Sequence, residues 1–196
     1  MAENNHAQRI EFCHRLDLGG VTPDHDLIRS AVNTIKIPVK IMIRPRGVDF
    51  IYSDSEVDKI KSDIRYYKSI GVEEIVLGVL NKKGEVDYKL TQMLAKLAIP
   101  MNVTFHKAID AVNNFMSSLK TLSTMENTDS VLTSGTKENA LAGKEYIKLA
   151  SKEFSGLLNI IAAGSITNQN LKEIHTELNI KEYHGKKIVG DLIYED

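Results

Sequence analysis

The sequence predicts an α/β fold of the TIM-type (β/α)8 barrel class, with seven strands visible and the first strand and most of the first helix lacking. Strand-like apolar runs alternate strictly with helical patterns, and they recur roughly every 30 residues. Such alternation predicts parallel strands joined by crossover helices. No G-x-G-x-x-G motif follows any of these runs, which weighs against an open dinucleotide-binding sheet. Because no Pro/Ser-rich linker divides the chain, residues 1–196 are predicted to form one domain.

Each strand is predicted from a short run that is apolar or alternates polar with apolar residues. In chain order the predicted strands are 9–13, 37–44, 74–80, 101–106, 130–134, 158–163 and 181–184. The helices follow from apolar residues at helical spacing, as Leu27, Ile28, Ala31 and Val32 show in the first. They are 24–34, 56–70, 88–97, 113–122, 138–149 and 168–176, with 2–7 interpreted as the tail of an earlier helix.

Seven strands are one short of a closed barrel. The runs at 9–13 and 181–184 would then be edge strands with unpaired backbone groups. Three explanations stay open: an open seven-stranded near-barrel, a gap plugged by a partner chain or by the Lys187–Tyr194 segment, or a natural protein that starts further upstream.

The composition is that of an ordinary globular protein. The formal net charge is −1 and 42% of the residues are apolar, so non-specific binding to nucleic acid or to a membrane surface is not expected. The first residues lack the basic and apolar regions of a signal peptide. The single cysteine, Cys13, excludes an internal disulfide and favours a reducing cytoplasm.

The stretch 41–54 places two guanidiniums where a strand ends. Arg44 and Arg46 flank Pro45, which restricts the backbone of both its own position and the one before it. Ser53 or Asp54 can then cap the next helix. The chain therefore presents two cations on a stiff segment.

Ionisable groups also recur at the ends of other strands. Because alternate residues face opposite sides of a strand, the polar set is predicted to face the barrel interior while the apolar set packs on the helices. The inward ionisable residues Glu11, Arg44, His106 and His184 would line one mouth, with Arg46, Asp49, Lys107 and Asp110 in the loops above. Barrel enzymes build their sites at this carboxyl end.

The residue types suggest two kinds of site. Guanidiniums bind carboxylates and phosphates bidentately, which favours a small anionic substrate. For that reading the predicted catalytic residues are Glu11, His106 and Asp110, and the predicted ligand-binding residues are Arg44, Arg46, Asp49, Lys107, Thr133 and Ser134. The alternative is a stabilising network in which Arg44 pairs with Glu11, and Arg46 with Asp49 or Asp110.

The second kind is a metal site. Cu(I) prefers thiolate and thioether ligands, and the chain has one Cys and six scattered Met without a C-x-x-C motif. The predicted metal ligands are Cys13, His106 and His184. A Cu(I) site with two thiolates would need two chains, and a lone Cys is more often a small buried apolar residue.

Several motifs together resemble the CutC family. They lie at 9–13, 19–23, 43–54, 77–80 with Gly84 and Asp87, 103–110, 132–135 and 182–184, so the resemblance runs from about Ala7 to His184. It implies a (β/α)8 barrel, a cytoplasmic location, self-association and a role in copper handling. Lys107 and Ile109 depart from the usual arginine and phenylalanine, and Ala162-Ala163-Gly164-Ser165 replaces a glycine-rich run.

Three hypotheses follow. The resemblance implies a cytoplasmic copper homeostasis protein, with copper as the bound ion and a homo-oligomer, a dimer, as its assembly. The rim residues favour an enzyme acting on a small anionic carboxylate or phosphate. The third hypothesis is a structural or interaction protein whose rim charges only stabilise the fold.

Overall fold

The computed structural model describes residues 2–191 and contains one seven-stranded sheet. All neighbouring strands are parallel, and they lie side by side in chain order. The strands are β1 Ile10–Phe12, β2 Val39–Met42, β3 Glu74–Leu77, β4 Asn102–Phe105, β5 Thr128–Thr133, β6 Asn159–Ala163 and β7 Glu182–His184. This order and direction confirm the barrel-type fold that the alternating pattern predicts.

Six α-helices cross over between successive strands. They are α1 His25–Thr34, α2 Asp54–Ser69, α3 Tyr88–Ala98, α4 Phe115–Ser123, α5 Lys144–Glu153 and α6 Leu171–Leu178. Ser53 caps α2 in a capping box with Glu56, as the sequence predicts, and Asp87 caps α3 by accepting from the Leu90 amide. No helix between residues 2 and 191 is both long and apolar enough to cross a membrane.

The apolar core lies between the sheet and the helices. Ile41, Ile43 and Val103 belong to one buried cluster, and Phe105 belongs to a second. Because these residues alternate with the polar ones along each strand, the inward direction predicted for Arg44 and His106 is confirmed.

The barrel interior is partly polar. Lys40 is only 4% exposed, and its ammonium donates to the Thr104 hydroxyl at 2.6 Å and pairs with the Glu74 carboxylate at 2.9 Å. The three residues come from adjacent strands, β2, β3 and β4. A smaller apolar cluster of Leu132, Ile161 and Ala163 covers the opposite wall.

The sheet curls until its two edges approach each other. Arg9 beside β1 forms an ion pair with Glu182 of β7, and a cavity of about 470 Å³ lies between the two edges. Ile188 and Val189 line this cavity, so part of the predicted Lys187–Tyr194 plug covers one side of the gap. Residues 192–194 of that segment lie outside the described residues.

Two predicted helices differ from the structure. Residues 2–7 form hydrogen-bonded turns rather than a helix tail, with the His6 amide donating to the Glu3 carbonyl. The helix predicted over 138–149 begins only at Lys144. A Cβ on Gly143 would lie 1.9 Å from the Ser134 carbonyl oxygen, and this close backbone approach occupies the segment predicted as the first turns.

The buried Lys40–Glu74 pair offers a test of the interior packing. Lys40→Met should lower the free energy of unfolding by about 3 kcal/mol, because it leaves a carboxylate inside the barrel without its cation. Urea denaturation would measure the loss. The double variant Lys40→Met/Glu74→Leu should recover at least half of it, and a single-variant loss that the double variant does not reduce would contradict this description.

Candidate anion-binding site

The ends of three adjacent strands build the site. Arg44 follows β2, Gly78 follows β3 and His106 follows β4, and all three occupy inward positions. Since the strands are parallel, their carboxyl ends share one edge of the sheet. The two ionisable side chains are therefore separated only by a glycine.

Arg44 is 6% exposed, and one side of its guanidinium ties down the loop after β1. Nη1 donates to the carbonyl oxygens of Leu18, Gly19 and Gly20 at 3.1, 3.2 and 3.1 Å. The Arg44 amide also donates to the Thr22 hydroxyl at 2.8 Å. The buried Nε has no hydrogen-bond partner, and no carboxylate in the part of the chain described lies within 4.0 Å of the guanidinium.

His106 is 3% exposed and is held in one orientation. Its Nδ1 accepts from the Ala108 amide at 3.2 Å, while Nε2 is buried and has no partner in the described part of the chain. Burial, and then the nearby Arg44 charge, lower the pKa of His106 to about 3, so the ring is neutral at physiological pH. A Cβ at Gly78 would stand 2.4 Å from Nδ1, so the ring fits only because that residue is glycine.

Two aromatic residues of the loop after β2 complete the site. The Arg44 Cζ lies 4.8 Å from the Phe50 ring centroid, and the His106 and Phe50 centroids are 5.0 Å apart. The buried Tyr52 hydroxyl lies beside Arg44 and has no well-formed hydrogen bond within residues 2–191. Burial raises its pKa to about 12, and the charges of Arg44 and Arg46 oppose that rise. We call Arg44, Phe50, Tyr52 and His106 the Arg44 site.

Arg46 is held in a separate rim network. Its guanidinium pairs with Asp49 at 2.9 Å and with Glu56 at 2.6 Å, and it donates to the Ile51 carbonyl. The Arg46–Asp49 pair matches the stabilising network considered from the sequence. The Ile51 amide and then Arg46 lower the pKa of Asp49, with a smaller contribution from Arg44.

Asp110 is the centre of a second network. Its carboxylate accepts from the hydroxyl groups of Thr133 and Ser134 and from the Thr136 amide, and it pairs with the Lys107 ammonium at 2.9 Å. The structure therefore brings four predicted site residues together, but they bind one another. Neither Arg46 nor Arg44 pairs with Asp110 within residues 2–191.

Glu11 and His184 lie elsewhere. Both line the cavity between β1 and β7, which neither Arg44 nor His106 lines. The predicted single mouth is thus divided between two places. The Arg44–Glu11 pair considered from the sequence does not form, because Arg44 binds the loop carbonyls instead.

Comparison with known proteins identifies the family and several relatives of this chain. The CutC family model matches residues 1–189. The chain belongs to the CutC family. It is 39% identical to the human copper homeostasis protein cutC homolog over 93% of this chain and 67% of that protein. A CutC family protein of Pasteurella multocida is 38% identical over 94% of this chain and 75% of its own length.

A solved CutC structure supports the same fold. The crystal structure of the Streptococcus agalactiae protein superposes with a TM-score of 0.87 at 27% identity, covering 92% of this chain and 89% of that one. The family membership and the fold implied by the sequence motifs are both confirmed.

Cys13 is the one thiol of this CutC family chain. Its Sγ lies 3.2 Å from the place that a Cβ on Gly20 would take, and the Met42 Cε lies 3.8 Å from the same point, so both side chains border Gly20. Burial, and then the charge of Glu11, raise the pKa of Cys13 to about 11. Within residues 2–191 no three His, Cys, Asp or Glu side chains form a metal-binding group.

Sequence reasoning missed Gly78, Phe50 and Tyr52. A glycine at an inward position beside a buried histidine is a signal that could have been used, since it marks close approach of another group. Phe50 and Tyr52 lie in a loop, where no periodicity indicates which way a side chain points.

Asp110 should make stability depend on pH. Burial alone would raise its pKa, but the Thr133 hydroxyl and the Lys107 charge outweigh burial, so the folded pKa is lowered. The stability that ionised Asp110 supplies is therefore present above its unfolded pKa of about 3.9 and is lost as pH falls through the lower folded value.

Asp110→Asn should remove about 1–3 kcal/mol at pH 7 and flatten this acid dependence, because the ionised acceptor is lost. Urea denaturation between about pH 2 and pH 7 would measure both effects, because the loss is completed below the lowered folded pKa. The exposed Asp58→Asn is the matched control and should change the free energy of unfolding by less than about 0.5 kcal/mol. An unchanged pH dependence in Asp110→Asn would contradict the assignment.

Proposed function

We propose that the protein binds a small anion at the Arg44 site. The observation that carries the proposal is a buried guanidinium that has no carboxylate partner among residues 2–191. Burying an unpaired charge costs several kcal/mol, so buried arginines normally pair with an acid. A bound anion would supply the missing negative charge.

Two of the buried polar atoms that have no partner among residues 2–191 are N–H donors, the kind of group that binds an oxyanion. They are Arg44 Nε and, because Nδ1 accepts from the Ala108 amide, His106 Nε2; the Tyr52 hydroxyl beside Arg44 can either donate or accept. Since Nη1 is occupied by the loop carbonyls, the Nε side of the guanidinium is the edge left for a bidentate contact. Donors without an acceptor favour an oxyanion over a cation.

Binding is better supported than a particular reaction. Of the three residues predicted to be catalytic, only His106 belongs to the Arg44 site. Glu11 lies in the cavity between the edge strands, and the Asp110 carboxylate is occupied by hydrogen bonds. An enzymatic role would therefore need a proton acceptor that comes from the substrate itself.

We expect Arg44→Met to weaken binding of a small anion about 10- to 100-fold, because it removes a charge-assisted contact of about 1.5–3 kcal/mol. Isothermal titration with acetate, benzoate, oxalate and inorganic phosphate would measure it. Arg44→Lys keeps the positive charge but not the paired N–H donors of the guanidinium, and should recover only part of the affinity.

The exposed Arg65→Ala is the control for lost positive charge and should bind as the parent protein does. Circular dichroism would check that the Arg44 variants remain folded, since Nη1 also holds a loop. Equal affinity of Arg44→Met and the parent protein for all four anions would overturn the proposal.

A second candidate function is Cu(I) binding, which the names of the human and other relatives favour. The supporting observation is the Cys13 thiol and the Met42 thioether, since Cu(I) prefers such soft ligands. The residues fit in part, because one thiol and one thioether side chain border the same glycine, Gly20. At neutral pH the Cys13 thiol is protonated, so copper would have to displace a proton.

Cys13→Ser should abolish Cu(I) binding, and Met42→Leu should weaken it at least tenfold, because each removes one of two sulfur ligands. Competition with a chromophoric Cu(I) chelator under reducing conditions would measure both. Met93→Leu, on the exposed side of α3, is the control. Retention of stoichiometric, chelator-resistant Cu(I) by Cys13→Ser would overturn this assignment.

A reducing cytoplasm is the compartment that both functions suit. Cys13 stays a thiol there, and copper is monovalent. The homo-oligomer implied by the family resemblance, a dimer, belongs to the same proposal, and light scattering coupled to size-exclusion chromatography would test it.

A further inference from the structure

The Arg44 site carries an inference about the kind of anion it takes, which rests on the proposed function. We infer that the anion is a monocarboxylate, that His106 donates to it from Nε2, and that Gly78 and the Ala108 amide are the groups that position this donor.

The hydrogen bond to Nδ1 decides which nitrogen of His106 carries the proton. The Ala108 amide donates to Nδ1, so Nδ1 supplies its lone pair and the proton of the neutral ring lies on Nε2. With its proton in place, Nε2 has no lone pair for a metal or for accepting a proton. It is buried and lacks a partner, and so it can serve a ligand oxygen as a donor.

Gly78 keeps the ring in this position. A Cβ there would lie 2.4 Å from Nδ1 and 2.5 Å from Cε1, distances at which the imidazole must move. The same shift would lengthen the bond from Ala108, since both contacts involve Nδ1. Gly78 touches no ligand in this account and is a positioning residue.

The charges at the mouth favour one negative charge on the ligand. Arg44 contributes one cation that has no carboxylate partner among residues 2–191, and the His106 ring adds no charge while its Nδ1 accepts from the Ala108 amide. The neighbouring cations are already paired, Arg46 with two carboxylates and Lys107 with Asp110. A dianionic phosphate ester would leave one charge uncompensated in a buried site, whereas a carboxylate matches the single guanidinium.

Phe50 suggests where the rest of the ligand lies. Its ring centroid lies 4.8 Å from the Arg44 Cζ and 5.0 Å from the His106 centroid, so an apolar ring borders both donor side chains. A carboxylate whose oxygens accept from these donors would bring an apolar or aromatic substituent next to this ring.

Two substitutions at His106 distinguish the hydrogen bond that Nδ1 accepts from Ala108 from the one that Nε2 is proposed to donate to the ligand. Glutamine can place an amide N–H near the Nε2 position, whereas asparagine can accept from Ala108 but does not reach the ligand. With benzoate as the probe, His106→Gln should bind within about threefold of the parent protein. His106→Asn should bind at least tenfold more weakly, as expected for a lost hydrogen bond to a charged group.

Gly78→Ala should lose benzoate affinity to a similar degree as His106→Asn while the protein stays folded. If Gly78→Ala does not fold, nitrogen-15 NMR of the parent protein decides the same point. The expected spectrum shows a neutral His106 ring with the proton on Nε2 at pH 7. A proton on Nδ1, or an imidazolium, would overturn the inference.

Comparing anions separates this inference from the proposed function. Benzoate binding tighter than inorganic phosphate, with the stated order of variants, supports the inference. Phosphate binding tighter than benzoate, and lost in Arg44→Met, would leave the proposed function standing and overturn the monocarboxylate. Equal loss in His106→Gln and His106→Asn would overturn the donor role, and no binding of any probe would overturn both.

Discussion

The guanidinium of Arg44 is the contact on which the carboxyl rim depends. Its Nη1 collects three carbonyl oxygens from the loop after β1, and its backbone pairs with Thr22 of the same loop. Gly19 adopts a φ of 79° there, and a Cβ on it would lie 3.1 Å from Nη1. The Nη1 group thus holds this loop in place. The Nε group is buried and has no acceptor among the described residues.

The surrounding charges explain why the Nε side of Arg44 has no acid partner. The three carboxylates described at the rim are bound by other cations or by amide and hydroxyl donors. Asp49 and Glu56 bind Arg46, and Asp110 binds Lys107 and the chain after β5. A rim whose charges served stability alone would be expected to give its most buried cation an acid partner as well. Met42, one of the two sulfur-containing residues proposed to bind copper, lies on β2 two residues before Arg44. The two proposed functions would therefore use the same inward face of that strand.

Much of the fold follows from local patterns. Alternating apolar runs predict the strands, their parallel order and the inward direction of Arg44 and His106, because strand periodicity needs no information from distant residues. The start of α5 was missed because Gly143 packs on the Ser134 backbone, which is a contact between separate segments. The early turns at residues 2–7 were missed for lack of any periodicity over so short a run.

The site was less predictable than the fold. Its two ionisable residues, Arg44 and His106, were predicted, whereas Phe50, Tyr52 and Gly78 were not, because the grouping depends on how far the sheet curls and on which partners each side chain finds. Glu11 and His184 follow the edge strands into a separate cavity. Asp110 accepts from Thr133 and Ser134, and His106 accepts from Ala108. These are hydrogen bonds between single atoms, and sequence patterns do not show which atoms pair.

The most direct test of the central claim is a crystal structure of the protein grown in the presence of benzoate. The account predicts carboxylate density within hydrogen-bonding distance of Arg44 Nε and His106 Nε2, with the aromatic ring against Phe50. Benzoate bound only at other places, while Nε and Nε2 are satisfied by protein groups, would contradict it.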